Sequence, residues 1–329
     1  MPQLLGDVQE LFNEYSSELK GVEQELLNLF NSTAFLIPAI GNYIVRSGGK
    51  RLRPLFLILS AELCEYREYP RILLASIIEA IHTASLLHDD VVDGADLRRG
   101  KPTAHSLWGN QVVILVGDFL YSNALKMAVS HKNQKIMDAL SFATTKMTEG
   151  ELLQLSKIGD PDISEDEYIQ IISAKTGALI SAACRIGAIL SQKGSEQEDR
   201  LGAFGLKTGI AFQMVDDILD YMAREDDLGK RLCKDLDEGK VTMPIIHLLK
   251  VCDNKEREFV RTLLSDGIKE NDHVKELNRL FRKYDVIEES MKIAADYVKD
   301  AKAELDGFCM SPEKERLLCL AEYALKRSK

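Results

Sequence analysis

Asp89-Asp90-Val91-Val92-Asp93 and Asp216-Asp217-Ile218-Leu219-Asp220 repeat one acidic pattern in a chain of 329 residues. Ala84-Ser85-Leu86-Leu87 leads into the first copy, and Ile210-Ala211-Phe212-Gln213-Met214-Val215 into the second. At about 100° per residue, helix positions i, i+1 and i+4 fall within a single narrow arc. Each motif therefore sets three carboxylates on one face of a helix that is otherwise apolar. Such a set repels itself and resists desolvation. One copy alone reads as readily as a solvated acidic face. Two copies, each at the C-terminal end of an apolar run, favour bound cations. Mg²⁺ fits this donor set, because it takes hard oxygen ligands and shares its shell between one or two carboxylates and phosphate.

Basic residues stand close by in the sequence. Arg98, Arg99 and Lys101 follow the first motif, and Gly48-Gly49-Lys50-Arg51-Leu52-Arg53-Pro54 forms a second cluster. Arginine forks bind phosphate oxygens in pairs, and lysine adds a point charge. Lys175, Lys230, Lys234 and Lys240 are further candidates, although any single lysine is more simply a solvated surface group. Cations concentrated beside acidic metal motifs in a chain of net charge −10 suit a diphosphate bridged by metal and by basic side chains. The same net charge disfavours nucleic acid, whose neutralisation needs a basic surface.

Other chemistries find little support. The chain contains no Gly-x-Ser-x-Gly and no Walker loop. Six histidines lack zinc-ligand spacing; His82 shares a face with Asp89, and His88 reads as a structural hydrogen-bonder. The six cysteines are scattered, with no Cys-x-x-Cys pair, as expected of reduced thiols. Acidic residues crowd the N-terminus where a signal peptide would be basic and then apolar, so a cytoplasmic location is expected. No run approaches the roughly 18 apolar residues that a membrane span needs.

Helical periodicity dominates, and strand signals are sparse. Helices are expected near 4–31, 38–47, from Arg53–Pro54, then over 72–93, 110–131, 134–158, 165–193, 196–222 and 243–252, with a helical tail split near Gly267 and 307–312. Ser164 with Glu167 fits a capping box at the start of one of them. Neither repeat nor linker divides the chain. The expected architecture is one all-α domain spanning residues 1–329, a bundle of about a dozen helices.

These motifs resemble those of the trans-isoprenyl diphosphate synthases over essentially the whole chain. The likeness rests on Gly-Gly-Lys-Arg-Leu-Arg-Pro (48–54), the segment 81–93, Arg-Arg-Gly-Lys-Pro-Thr (98–103), Val-Gly-Asp-Phe-Leu (116–120), Lys175-Thr176, residues 213–220 and Gly-Lys-Val-Thr-Met-Pro (239–244). The nearest likeness is to the bacterial long-chain branch. The resemblance implies helices around a central apolar cavity. It implies that Asp89, Asp93 and Asp216 ligate about three Mg²⁺ ions, with Mn²⁺ as a substitute, and that Asp90, Asp217 and Asp220 support them. Arg98, Lys175, Lys230 and Lys240 would bind the allylic diphosphate, with Thr176 and Gln213 nearby. Lys50, Arg53, His82 and Arg99 would bind isopentenyl diphosphate. Asp89, Asp93, Arg98, Lys175, Asp216 and Lys230 would carry catalysis. Cys233 stands where the family often has glycine, which puts that loop's conformation in question.

The implied reaction is ionisation of an allylic diphosphate, farnesyl diphosphate for preference, followed by attack of isopentenyl diphosphate and loss of a proton to the released diphosphate. The implied product is an octaprenyl chain for quinone side chains. Ala84 and Ser85, about one turn before Asp89, are small enough to leave a tunnel open, where an aromatic would close it. Phe119, Asn123 and Met127 are alternative tunnel floors. A homodimer and transient membrane contact during product release are further expectations. A short-chain (geranylgeranyl) synthase and a non-catalytic subunit of a heteromeric synthase stand as alternatives. A terpene cyclase would normally have a different second motif and no need of residues 48–54.

Overall fold

The computed structural model describes residues 8–98, 100–222, 233–268 and 271–326. The described chain is almost wholly helical. Its order is α1 (Val8–Glu14), α2 (Ser16–Leu29), α3 (Leu36–Arg46), α4 (Leu52–Leu63) and α5 (Pro70–Val92), then a hairpin of β1 (Leu97–Arg98) and β2 (Lys101–Pro102). Next come α6 (Ala104–Trp108), α7 (Asn110–Ser130), α8 (Gln134–Ser156), α9 (Glu165–Ile172), α10 (Ala178–Ser191) and α11 (Ser195–Met222). The remainder comprises α12 (Lys234–Asp237), α13 (Met243–Val251), α14 (Asn254–Asp266), α15 (Asn271–Lys283), α16 (Val286–Glu304) and α17 (Pro312–Lys326). The all-α expectation holds.

The short helices α6 and α12 and the break between α15 and α16 were not expected, and three further departures also exceed the usual uncertainty at helix ends. The stretch expected as one helix over 4–31 is, in its described part, two helices, broken at Tyr15 (φ −92°, ψ 15°), whose hydroxyl donates to Glu62 Oε2 at 2.6 Å. The helix expected over 165–193 contains a π turn, Ser173–Gly177. The hairpin was not expected; its strands are two residues long, too short for any alternating pattern, and pair Leu97 with Pro102 and Arg98 with Lys101. The capping box appears as read: Ser164 Oγ accepts from Glu167 N at 3.2 Å, and Glu167 Oε2 from Ser164 N at 2.8 Å.

The residues fall into two units. One comprises the described chain through Thr144 together with Ala182–Gly202 and Phe308–Cys319; the other comprises Thr145–Ser181, Ala203–Gly307 and Leu320 onward. In the first, α5 packs on α2, α4 and α7. Leu55, Phe56, Leu57, Ile58 and Leu59 of α4 are completely buried, at roughly 1.5–3 kcal/mol for each such side chain. This explains why the segment reads almost as a continuous apolar run. In the second unit, Met214, Val215 and Ile218 of α11 share a core with α9 and with α13 through α16.

The expectation about membrane spans needs correction. Pro70–Val92, Asn110–Ser130 and Glu165–Ser191 are each long and apolar enough to cross a membrane by length and composition. Scattered polar residues interrupt their apolar runs without lowering the mean hydropathy enough to exclude them. Of their most apolar windows, 67%, 33% and 72% respectively is buried within the protein. The first and third are core helices; α7 is the exception.

Candidate active site

Both acidic motifs lie at helix C-termini. Asp89, Asp90 and Asp93 close α5, and Asp216, Asp217 and Asp220 lie within the last two turns of α11. A helix C-terminus carries the negative end of the macrodipole, so acidic residues are disfavoured there. Two helices that each end in three carboxylates thus require positive charge from elsewhere.

The two motifs treat their aspartates alike. In each, the middle carboxylate is buried, Asp90 at 6% exposure and Asp217 at 7%, and a protein donor already holds it. Asp90 Oδ1 accepts from Arg98 Nε at 2.9 Å. Asp217 Oδ2 accepts from the Tyr168 hydroxyl at 2.7 Å, and its Oδ1 from Gln213 Nε2 at 2.8 Å. Asp93 and Asp216 are exposed, and Asp89 is half-buried. Asp220 is half-buried and accepts from the backbone N–H of Asp235 at 2.9 Å.

Burial raises the carboxyls of Asp217 and Asp235 above the usual range, and each is raised further by another acidic group, Asp235 for Asp217 and Asp220 for Asp235. Burial also raises Asp220. A cation would reverse that penalty. Among the described residues, no three acidic, histidine or cysteine side chains converge on one point to enclose an ion. The oxygen donors nevertheless fit Mg²⁺, which characteristically keeps several waters and draws on substrate phosphate.

The basic residues divide by environment. Arg51, inside the Gly-Gly-Lys-Arg-Leu-Arg-Pro cluster, turns inward: it is 8% exposed and pairs with Glu79 at 2.9 Å and Glu23 at 3.1 Å. Arg53 Nη1 lies 2.9 Å from His82 Nε2, joining two residues for which the family resemblance implies one substrate. Lys50 is exposed. Arg98 projects from the hairpin, which Tyr43 of α3 ties down by donating its hydroxyl to the Pro102 carbonyl at 2.7 Å. His88 is structural as expected: Nε2 lies 3.2 Å from the Ile114 carbonyl and 3.4 Å from Asp118.

Lys175 sits within the π turn, a feature often found at functional sites. Gly150 and Gly209 allow neighbouring helices to approach it: a Cβ on either would lie 2.7 Å from backbone, at Lys175 N and Gly177 Cα respectively. Lys175 Nζ is 2.5 Å from Glu151 and 2.7 Å from Gln154 Oε1. Thr176 Oγ1 donates to Gln213 Oε1 at 2.7 Å, extending a chain through Asp217 to Tyr168. Lys240 pairs with Glu238 at 2.7 Å and lines a small pocket with Gln154, Lys157, Tyr168, Asp217 and Thr242. Arg99 and Lys230 lie outside the described residues.

Sequence reasoning missed Tyr168, because a tyrosine in an apolar helix is by default a core residue. Ala84 is buried, whereas Ser85 is half-buried and donates to the His82 carbonyl at 2.8 Å. Among the candidate tunnel floors, Asn123 is anchored, donating to the Leu29 carbonyl at 2.7 Å.

Comparison with known proteins decides the family. The polyprenyl synthetase profile matches residues 35–281. The chain belongs to the polyprenyl synthetase family. It is accordingly an enzyme, a prenyltransferase, and members of the family use Mg²⁺. Octaprenyl diphosphate synthase of Escherichia coli (strain K12) is 38% identical over 322 residues, which cover 97% of this chain and 99% of that protein. A decaprenyl diphosphate synthase from Rhodobacter capsulatus superposes with a TM-score of 0.92 at 33% identity, covering 98% of this chain and 99% of its own. A polyprenyl synthase from Caulobacter crescentus CB15, solved with calcium and isoprenyl diphosphate, gives a TM-score of 0.92 at 35% identity and full coverage of both chains.

Proposed function

We propose that this polyprenyl synthase is a single-domain, Mg²⁺-dependent enzyme that adds isopentenyl diphosphate head to tail onto farnesyl diphosphate, yielding octaprenyl diphosphate for quinone side chains. One observation carries the metal assignment. In both motifs the middle aspartate is buried, whereas Asp93 and Asp216 are exposed and Asp89 is half-buried. That division supports Asp93 and Asp216 as ligands with Asp90 and Asp217 as their support, while Asp89 as a ligand and Asp220 as support rest on the family resemblance.

Bound Mg²⁺, about three ions, would supply Lewis-acid neutralisation of the leaving diphosphate. Arg98, Lys175, Lys230 and Lys240 take up the remaining charge as the allylic C1–O bond breaks, which is electrostatic catalysis by prearranged cations. Lys50, Arg53, His82 and Arg99 hold the diphosphate of isopentenyl diphosphate, so that its terminal carbon attacks the allylic C1. The C2 proton then leaves to the released diphosphate, and no protein base is required. Thr176 and Gln213 orient the support for the second motif. An apolar surround keeps water from quenching the cation.

The small pair Ala84 and Ser85 supports a long product. The similarity to octaprenyl diphosphate synthase supports eight units in particular. A homodimer is favoured by α7, only 33% of whose apolar window is buried: Leu115 is 67% exposed and Val129 56%, and Phe142 on α8 is 64% exposed. Equilibrium sedimentation tests this, with a monomer at micromolar concentration the contrary result. Free cysteines accord with a cytoplasmic location. Transient membrane contact during release would appear as co-sedimentation with product-bearing liposomes, and its absence would remove that element. For the metal assignment, Asp89→Asn and Asp216→Asn should each lower kcat at least about a hundredfold; retention of near-normal turnover would contradict it.

A further inference from the structure

Arg51 stands between two residues proposed to bind isopentenyl diphosphate, yet its side chain is buried and spent on carboxylates of the protein itself. Its backbone adopts the left-handed conformation (φ 50°, ψ 42°) immediately before α4, one that non-glycine residues seldom take without compensation. Here the compensation is an ion network, buried at Arg51 and Glu79 and partly exposed at Glu23. Arg51 Nη1 meets Glu79 Oε1 at 2.9 Å, Nε meets Glu23 Oε1 at 3.1 Å, and Nη2 donates to the Val45 carbonyl at 3.2 Å. The Arg51 and Glu79 side chains are only 7% and 6% exposed.

Glu79 and His82 are three residues apart on α5 and so share a face. Two parallel rungs therefore join the segment 51–53 to α5: Arg51 to Glu79, and Arg53 to His82. The second rung belongs to the proposed substrate site, and the first is the more deeply buried of the two. We infer that Arg51 is a positioning residue, which through Glu79 and Glu23 sets where Lys50 and Arg53 meet the diphosphate of isopentenyl diphosphate. This inference rests on the reading of Lys50, Arg53 and His82 given above. It assigns no contact between Arg51 and substrate.

The test uses the full chain with Arg51→Lys, which keeps the charge but loses the fork, and Glu79→Gln, which keeps the shape but loses the charge. Steady-state KM for isopentenyl diphosphate should rise about tenfold in both. KM for farnesyl diphosphate and kcat should stay within about twofold. Calorimetric binding of isopentenyl diphosphate to the metal-free protein should weaken in proportion. An unchanged KM for isopentenyl diphosphate in a folded variant would overturn the inference, as would a parallel rise for both substrates. Loss of the fold in both variants would make Arg51 a structural pin only, and the inference would fall. Arg53→Ala in the same assay separates the two layers. If it leaves KM for isopentenyl diphosphate unchanged, the site assignment itself is wrong. If it raises KM while Arg51→Lys does not, only the positioning role is lost.

Discussion

Tyr168 donates its buried hydroxyl to Asp217 Oδ2 at 2.7 Å, linking α9 to the second acidic motif on α11. Asp217 retains a second donor in Gln213, so Tyr168→Phe should leave the fold intact. It should cost about 1–3 kcal/mol, the usual range for a buried polar group deprived of one partner, read as a lower urea midpoint in metal-free protein. Half-saturation by Mg²⁺ should also move to higher concentration. If both quantities match the wild type, Asp217 needs no such support.

Cys233 occupies a left-handed conformation, φ 58° and ψ 44°, with its side chain 1% exposed. This explains why glycine suits the position, since an L side chain there costs roughly 1–2 kcal/mol. Cys233→Gly gives up the buried thiol and relieves the backbone, and the opposing effects should leave stability within about 1 kcal/mol of wild type. Cys233→Val adds a β-branched side chain to the same backbone and should be less stable than Cys233→Gly by about 2 kcal/mol or more. Equal urea midpoints for the two variants would contradict the backbone argument.

Glu256 ties α14 to α15. It accepts from Lys283 at 2.7 Å, from the Tyr284 hydroxyl at 2.6 Å and from Arg279 at 3.2 Å. These donors, Lys283 foremost, hold its carboxyl at about 2, below the ordinary 4.5. The folded state therefore binds fewer protons here than the unfolded state. The stabilisation is complete above pH 4.5 and disappears as pH falls through about 2. Glu256→Gln should lower Tm at neutral pH and flatten the acid limb of the Tm profile across that window. A limb of unchanged slope would show that other carboxylates set the acid response.

Ser85 is half-buried on α5, one turn before Asp89. Ser85→Phe should shift the product distribution to shorter chains while turnover of the first condensation stays within about threefold, because the substitution alters space rather than charge. Chromatography of dephosphorylated products reads this directly. Full-length product from Ser85→Phe would move the length determinant elsewhere.

The helices were legible because an apolar stripe at helical spacing records which face is buried. The same logic gave the Ser164–Glu167 box and the carboxylate face of each motif. It could not find the break at Tyr15 or the π turn at Lys175, since the apolar pattern runs on across both. Nor could it sort the basic cluster. By spacing alone Lys50, Arg51 and Arg53 look alike; the family likeness singled out Lys50 and Arg53, and the distant Glu79 and Glu23 show what occupies Arg51. Tyr168 was invisible for the same reason, lying in α9 with its partner Asp217 in α11. Tertiary partners assign roles that local spacing cannot.

The most direct test of the central claim is a product assay with purified protein, Mg²⁺, labelled isopentenyl diphosphate and farnesyl diphosphate, run with and without excess chelator. Metal-dependent synthesis of a dominant prenyl product of about forty carbons, abolished by the chelator, is the expected result. A twenty-carbon product would preserve the chemistry and contradict the assigned length. Failure to form any product from folded protein saturated with Mg²⁺ would contradict the claim itself.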